Sequence, residues 1–369
     1  MKESQLKFKI ALSMVRGVGL STYKRLTEIF GNEEEVLNAS AKSLSKLPGI
    51  GDAIVEQLKH PQLLERAKKE LDYLRKSNGF VVHFDDEAFP YRLKECDDHP
   101  IFLYGKGEMQ WDERRVIGIV GTRKMTPYGK THCEEILTQL ANNHPDLLVV
   151  SGLAYGVDAC AHRKAMELGL QTIGVVGHGL DMIYPASHKD LATRMMNKGG
   201  ILTEFHSHSL VDRKNFVSRN RIIAGLCDVV LIVESGEKGG ALLTAEFGNS
   251  YNREVCAIPG RVGDSYSKGC NNLIKRNEAA MIENAEDIEK LMNWDTKQVL
   301  TSGMMYDLFP TLSEEQQKVV DYLREKGKSQ INIMTRELNF SYSTLSSLLF
   351  EMEMQDWVLS YPGGIYDLR

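Results

Sequence analysis

The chain has 369 residues, of which 42% are hydrophobic and 26% are charged, and its formal net charge is −5. This length predicts two or three domains of ordinary soluble, globular composition, with no apolar run near the roughly 18 residues that a membrane span requires and no signal peptide. The acidic balance means that any nucleic-acid site must be a local basic patch.

The first 80 residues predict a helical domain of the helix-hairpin-helix or SAM-like type. Two segments, Arg16–Gly31 and Leu47–Leu58, each place a Gly-x-Gly turn directly before an amphipathic helix. Such a turn exposes backbone N–H groups that suit a phosphate, and 14 Lys and Arg against 10 Asp and Glu make residues 1–80 mildly basic. The same glycines also close a tight turn between helices. DNA contact and a structural or partner-binding role therefore both stay open.

Residues 81–293 predict an α/β domain. Two short strands, Val81–Phe84 and Ile101–Gly107, come first, and we expect them and the segment between them to wrap onto the central sheet. Six apolar segments follow and alternate with helical segments, the pattern of an extended Rossmann-like, doubly wound sheet buried on both faces. The six segments are Val116–Val120, Leu147–Val150, Thr172–Val176, Gly200–Thr203, Val229–Val233 and Val255–Ile258.

Glycine follows five of these six strands. Ligands of an open parallel sheet bind beyond the carboxyl ends of its strands, and glycine lets a ligand approach the backbone there. Gly121-Thr122-Arg123 is not a dinucleotide fingerprint, and the chain contains no Walker A motif, so we expect no nucleotide cofactor. We also expect no metal, because His206 and His208 lack ligands at the right spacing and the six cysteines form no Cys-x-x-Cys pair, which fits reduced thiols.

One segment, residues 206–226, is locally basic. It holds four Lys and Arg against the single acid Asp212, and Phe216 lies among them. Cations bind phosphates and an exposed aromatic ring stacks on an unpaired base, whereas a solvated helix face with Phe216 in the core would have the same composition. The cations of this segment and of the neighbouring strand ends are Arg213, Lys214, Arg219, Arg221, Arg123, Arg261 and Lys268.

The last part of the chain predicts a linker over residues 294–312 and a winged-helix domain over 313–369. Three helices are expected at Glu314–Lys326, Ile331–Leu338 and Ser341–Met354, followed by a hairpin that turns at Pro362-Gly363-Gly364. Residues 311–369 hold six Lys and Arg against nine Asp and Glu, and the third helix has no Lys or Arg. A helix that reads duplex DNA needs such side chains, so we expect this domain to contact protein.

The central domain contains six distinctive motifs in order, which are VGTRKMTPYG (residues 120–129), SGLAYGVDACAHRKAMELG (151–169), VVGHGLDMIYP (175–185), FVSRNRIIAGL (216–226), GGALLTAEFG (239–248) and PGRVGDSYSKGCNNLI (259–274). Taken together, these motifs resemble those of the DNA-processing protein A (DprA/Smf) family. The resemblance implies a cytoplasmic, homodimeric protein that binds and protects incoming single-stranded DNA and loads the RecA recombinase during natural transformation, without catalysis.

The resemblance also assigns roles to individual residues. Arg123 is expected to contact phosphate, and Phe216 and Arg213 to line the pocket of an exposed base. Of Arg219 and Arg221, one is expected to face DNA and the other to pair with an acid such as Glu204 or Asp158. The predicted interface as a whole comprises Gly121, Thr122, Arg123, Ser151, Gly152, Arg213, Phe216, Arg219, Asn220, Arg221, Gly240 and Lys268.

The chain departs from the family pattern at Val217, where a proline is usual, and at Gly239-Gly240-Ala241, where Ser-Gly-Ser is common. Asp158 and His162 stand four residues apart like an acid–base pair, although capping and a structural pair explain that spacing better. The alternative is a phosphoribohydrolase-like enzyme, because EKGGALLTAEFG (residues 237–248) loosely matches the motif of that group, with Glu246 in a similar place. The match lacks the opening proline and the Gly-Thr step.

Overall fold

The computed structural model describes residues 3–209, 211–294, 313–355, 357–361 and 363–368. The chain divides after Thr296 into two compact units, each of which is treated by itself below. The predicted linker, apart from its first residue, and Pro362 of the predicted hairpin turn lie outside the described residues. No helix among the described residues is long and apolar enough to cross a membrane.

The first unit begins with six helices, as the sequence predicted. Gly19 and Gly51 precede two of these helices in extended conformation, with no side-chain cap. The side-chain amide of Gln57 accepts a hydrogen bond from the Arg16 N–H at 3.0 Å and donates one to the Arg16 carbonyl at 3.3 Å, so it joins the two Gly-x-Gly hairpins. The helices are α1 (Glu3–Ser13), α2 (Leu20–Phe30), α3 (Glu33–Asn38), α4 (Ala41–Leu44), α5 (Asp52–Leu58) and α6 (Leu63–Lys76).

A nine-stranded sheet forms the centre of this unit, in the order β1-β2-β6-β5-β4-β3-β7-β8-β9. The seven strands from β6 to β9 in that order run parallel, whereas β1 and β2 add an antiparallel edge beside β6. All eight predicted strands are confirmed within one or two residues, and β9 was not predicted. The strands are β1 (Gly79–His83), β2 (Phe102–Glu108), β3 (Val116–Val120), β4 (Leu148–Ser151), β5 (Gln171–Val175), β6 (Gly199–Thr203), β7 (Val229–Ile232), β8 (Glu254–Ala257) and β9 (Ala280–Met281).

Helices cover both faces of the sheet. Ile117 and Ile119 point into one hydrophobic layer, and Val116 and Val120 point into the other. The N-terminal helices share the second layer through side chains such as Tyr23, so helices and sheet have one continuous core. The covering helices are α7 (Tyr91–Lys94), α8 (Pro127–Asn143), α9 (Val157–Glu167), a 3₁₀ turn (Ala186–His188), α10 (Lys189–Met195), α11 (Arg213–Leu226), α12 (Gly240–Ser250), α13 (Lys268–Lys275) and α14 (Ala285–Leu291).

The second unit contains the three predicted helices and the hairpin, with bounds close to those expected. A short strand between the first two helices joins the hairpin in an antiparallel sheet of order β10-β12-β11. Leu323, Met334, Leu345 and Leu349 form part of its core. The elements are α15 (Glu314–Lys326), β10 (Ser329–Gln330), α16 (Ile331–Glu337), α17 (Tyr342–Met354), β11 (Val358–Tyr361) and β12 (Ile365–Leu368).

Candidate nucleic-acid interface

The strand order of the sheet reverses between β3 and β7. The chain leaves β3 towards β4, β5 and β6 on one side and returns to β7 on the other. In a doubly wound sheet this switch point opens a crevice beyond the carboxyl ends of the two strands, where ligands commonly bind. The loop of residues 121–126 and the loop of residues 233–239 border this crevice.

The protein's own Glu234 fills the crevice. Its buried carboxylate accepts hydrogen bonds from the Thr126 N–H at 2.9 Å and from the Thr126 hydroxyl, and it lies against Gly129 in the first turn of α8. A helix N-terminus favours an anion, so Glu234 occupies the position that a phosphate would take in a nucleotide-binding fold. The Thr122 N–H is also engaged, because it donates to the Glu234 carbonyl at 2.8 Å. Although Thr122 belongs to the predicted interface, its backbone N–H is therefore not available to DNA.

The other half of the edge, over β4, β5 and β6, exposes cations. Exposed Arg123 lies on the β4 side of the loop after β3, where a Cβ at Gly156 would come within 2.8 Å of its backbone. Arg213 and Lys214 form the exposed first turn of α11 behind the N-cap residue Asp212. Within the described ranges, none of these three cations forms an ion pair with an acidic side chain. Three solvated cations free of ion pairs can bind phosphates at a lower desolvation cost than paired ones.

Two aromatic rings lie beside these cations. The rings of Phe216 and Tyr184 are 5.5 Å apart and inclined at 53°. Phe216 is half-buried, since α11 packs closely on Gly177, where any Cβ would come within 3.1 Å of the Phe216 backbone. Tyr184 is 45% exposed, so the pair offers a ring face to a base. Phe216 is therefore neither a core residue nor fully solvated.

Tyr184 was missed by sequence reasoning, and so was Tyr155, which is also exposed. Tyr155 reaches the same loop, because its hydroxyl lies 3.0 Å from the Ser187 hydroxyl. Their signal was present in the family-like motifs at residues 151–169 and 175–185, where each tyrosine follows a strand end. The Tyr184 N–H donates to Nε2 of buried His178 at 3.1 Å, and burial lowers the pKa of His178, which keeps that nitrogen an acceptor.

Arg219 and Arg221 hold α11 in place instead of facing solvent. Arg219 is 4% exposed and donates to the Gly152 carbonyl at 2.6 Å and to the Val175 carbonyl. Burial lowers its pKa to about 10, against the opposing effect of Asp158, so Arg219 stays charged at neutral pH. Arg221 pairs with Glu204 and donates to the Asp98 carbonyl.

The pairing of Arg221 with Glu204 matches one of the predicted acids, but neither arginine takes the predicted place on the surface. Ser151, Gly152 and Asn220 are likewise buried, and the Ser151 hydroxyl donates to the Ile119 carbonyl at 2.5 Å. Their burial revises the predicted role of these residues from DNA contact to support. Gly121 is part-buried, and Gly240 and Lys268 are exposed at the starts of α12 and α13.

Asp158 and His162 do not form an acid–base pair. The Asp158 carboxylate accepts from the Ala154 N–H at 3.3 Å, while His162 Nδ1 lies 2.7 Å from the Thr172 hydroxyl. Burial raises the pKa of Asp158 and lowers that of His162 to about 3, which is expected of polar groups inside a core. Over the described part of the chain, no three His, Cys, Asp or Glu side chains are grouped so that they could hold a metal ion.

Comparison with known proteins gives two family matches. The model of the DNA recombination-mediator protein A family matches residues 80–293, and that of the SAM-like helix-hairpin-helix tandem matches residues 9–60. Protein Smf of Synechocystis sp. is 34% identical over 278 residues, which cover 74% of this chain and 69% of that protein. DNA processing protein DprA of Streptococcus pneumoniae is 36% identical over 203 residues, covering 55% and 71%.

Two solved structures are similar as well. The X-ray structure of DNA processing protein A from Streptococcus pneumoniae aligns with a TM-score of 0.62 and 28% identity over 77% of this chain and 95% of that one. DNA processing protein A from Helicobacter pylori, described for its single-stranded DNA binding mode, aligns with a TM-score of 0.52 and 29% identity over 58% and 95%. Since the family model spans more than half of the sequence, the chain belongs to the DNA recombination-mediator protein A family, whose members are recombination mediators and not enzymes.

Proposed function

We propose that the protein binds single-stranded DNA along the open half of the sheet edge. The observation that carries this proposal is the combination of Arg123, Arg213 and Lys214, exposed without ion pairs among the described residues, with the ring pair Phe216 and Tyr184. Cations that follow the phosphates and rings that stack on successive bases are the two components of sequence-independent binding to a single strand. The single-stranded DNA binding mode described for the Helicobacter pylori relative supports the same reading.

In the cell, this binding would serve recombination. We infer that the protein acts as a homodimer in the cytoplasm, protects incoming single strands and loads RecA onto them during natural transformation. Membership of a family of recombination mediators supports this inference. The alternative, a phosphoribohydrolase-like enzyme, loses its support, because the family consists of mediators and Glu246 lies exposed on α12 outside the crevice that Glu234 fills.

Residues 313–369 are proposed to be a winged-helix domain that contacts protein. Three helices with a β10-β12-β11 sheet are the elements of that fold. The solvent side of α17 carries Phe350 and Met354, exposed by 63% and 73%, together with Glu351 and no cation. Apolar and acidic side chains suit a protein surface better than the phosphates of duplex DNA.

The DNA-binding proposal is tested by the salt dependence of binding. We expect Arg123→Ala and Arg213→Ala each to weaken binding of labelled oligo-dT and to reduce the slope of log Kd against log salt by about 1, because each removes one phosphate contact. Fluorescence anisotropy at several KCl concentrations measures both quantities. Arg194→Ala is the matched control, since Arg194 is exposed at the end of α10, just before β6 begins and therefore near the amino ends of the parallel strands. Unchanged slopes in both variants would remove these residues from the interface.

A further inference from the structure

Helix α6 of the N-terminal domain contacts the segment that leads into α11. Glu70 is only 3% exposed, and its carboxylate accepts hydrogen bonds from the Ser207 N–H at 2.8 Å and from the Ser207 hydroxyl. Ser207 lies between β6 and α11, a few residues before the cations of the proposed interface. A buried carboxylate bound by two donors of one residue fixes that residue closely, because leaving the charge without its partners is costly.

Tyr73 follows Glu70 by three residues and holds a second loop. Its hydroxyl donates to the Leu180 carbonyl at 2.5 Å, in the loop after β5. Lys106 of β2 donates to the same hydroxyl at 2.6 Å and to the same carbonyl at 3.0 Å. Residues three apart share one face of a helix, so a single face of α6 holds both loops.

The two loops also contact each other. A Cβ at Gly179 would lie 2.8 Å from the Ser207 Cα, and the Asp181 carboxylate accepts from the His208 N–H at 3.0 Å. The loop after β5, which contains Leu180, continues to Tyr184, and the segment after β6, which contains Ser207, leads to α11 and Phe216. The ring pair of the proposed interface is therefore placed by two loops that are both attached to α6.

We propose that Glu70 and Tyr73 are positioning residues that set the Tyr184 and Phe216 rings for stacking on DNA bases. This inference depends on the proposed binding of single-stranded DNA. It gives the N-terminal domain a part in that binding that needs no contact of these two side chains with the nucleic acid, since Glu70 is buried and the Tyr73 hydroxyl is occupied. Base–aromatic stacking depends on ring orientation, so small loop displacements weaken it.

The test uses the full chain with Glu70→Gln and Tyr73→Phe. We expect each variant to weaken oligo-dT binding about five- to tenfold, part of the full loss of base stacking, while the salt slope keeps the wild-type value because no phosphate contact is removed. The fluorescence of a single 2-aminopurine placed in the oligo-dT should be quenched less on binding to the variants than on binding to wild type, since that base stacks less well on the displaced rings. Glu65→Gln is the control, because it removes the same charge from an exposed site of the same helix.

A double-mutant comparison isolates the route of the effect. In a Tyr184→Ala background, Tyr73→Phe should change Kd less than about twofold, because the ring that it places is gone. Full additivity would overturn the proposal, as would wild-type Kd and 2-aminopurine quenching in both single variants. A lower melting temperature with unchanged Kd marks a merely structural role and also overturns the proposal. A reduced salt slope would indicate direct contact with DNA instead.

Failure of this inference can be told apart from failure of the proposed function. A wild-type chain that binds no oligo-dT removes both, whereas loss of binding only in Phe216→Ala removes this inference alone.

Discussion

The edge of the sheet at the carboxyl ends of its parallel strands has two halves. They differ in whether their polar groups are already bonded within the protein or face solvent. At the crevice between β3 and β7, Glu234 satisfies the start of α8, and its carbonyl takes the Thr122 N–H. Over β4, β5 and β6, Arg123, Arg213 and the Tyr184 ring face solvent. Both halves have glycine at their strand ends, so glycine alone does not identify a ligand site. A site also needs polar and aromatic groups that the protein has not already used.

The difference is what the proposed binding of a single strand, in place of a nucleotide, requires of a Rossmann-like sheet. A mononucleotide needs an open helix N-terminus for its phosphates, and Glu234 closes that position. A single strand needs a longer surface of separated cations and rings, which the open half supplies. Substitutions at Arg219, Glu234 and His162 test this contrast.

The largest effect is expected from buried Arg219, which bonds α11 to the ends of β4 and β5. Arg219→Leu should lower the free energy of unfolding by roughly 3–5 kcal/mol, because it leaves the Gly152 and Val175 carbonyls and buried Asp158 without their cation. Urea unfolding followed by circular dichroism measures the change. Arg213→Leu, on the exposed first turn of the same helix, should stay within about 0.5 kcal/mol of wild type. Equal losses of unfolding free energy in the two variants would contradict a structural role for buried Arg219 and a surface role for exposed Arg213.

The second prediction concerns Glu234, which fills the crevice between β3 and β7. Glu234→Ala should lower the free energy of unfolding by about 1–2 kcal/mol, because the start of α8 loses its anionic partner. The emptied position should then accept an external anion. We expect sodium phosphate to raise the melting temperature of the variant more than that of wild type, with sodium chloride at equal ionic strength as the reference. Glu237→Ala, exposed in the same loop, should behave like wild type. An equal phosphate response in Glu234→Ala and wild type would mean that the crevice is closed for another reason.

The third prediction concerns acid. Burial lowers the pKa of His162 to about 3, with Arg219 and His188 adding to the effect, and burial also lowers the pKa of His178 under Tyr184. Each of these histidines therefore contributes stability that is complete above pH 6.5 and is lost as the pH falls below it, by at most about 1.4 kcal/mol per pH unit. For His162 this loss continues down to about pH 3.

Urea midpoints at pH 7 and pH 5 measure this loss. His162→Asn should reduce the pH dependence, because asparagine does not titrate in this range. His132→Asn is the control, since His132 is part-exposed on α8 and is not a contact of Arg219 or His162. A pH dependence that stays the same in His162→Asn would show that this buried imidazole does not contribute to acid sensitivity.

Local patterns predicted most of the elements. The apolar runs of the six central strands indicated burial on both faces, and Ile117 and Val120 do pack into opposite layers. The predicted start of α15 at Glu314 is confirmed, and the side chain of the preceding Ser313 caps the helix by accepting from the Gln316 N–H. Strand β9 has two residues and pairs only with β8, so its short run gave no periodic signal.

The alternation of strands and helices, the glycines at the strand ends and the family motifs could all be recognised in the amino-acid sequence, because they depend on neighbouring residues. Which charges of α11 are free of ion pairs depends instead on the tertiary structure. Arg213 and Arg219 lie six residues apart, yet one is exposed and the other bonds to a carbonyl 67 positions away in the chain. Likewise, Thr126 meets Glu234 across 108 positions. Contacts over such separations come from strand order, which no local pattern contains, and they determine which half of the edge stays exposed to solvent.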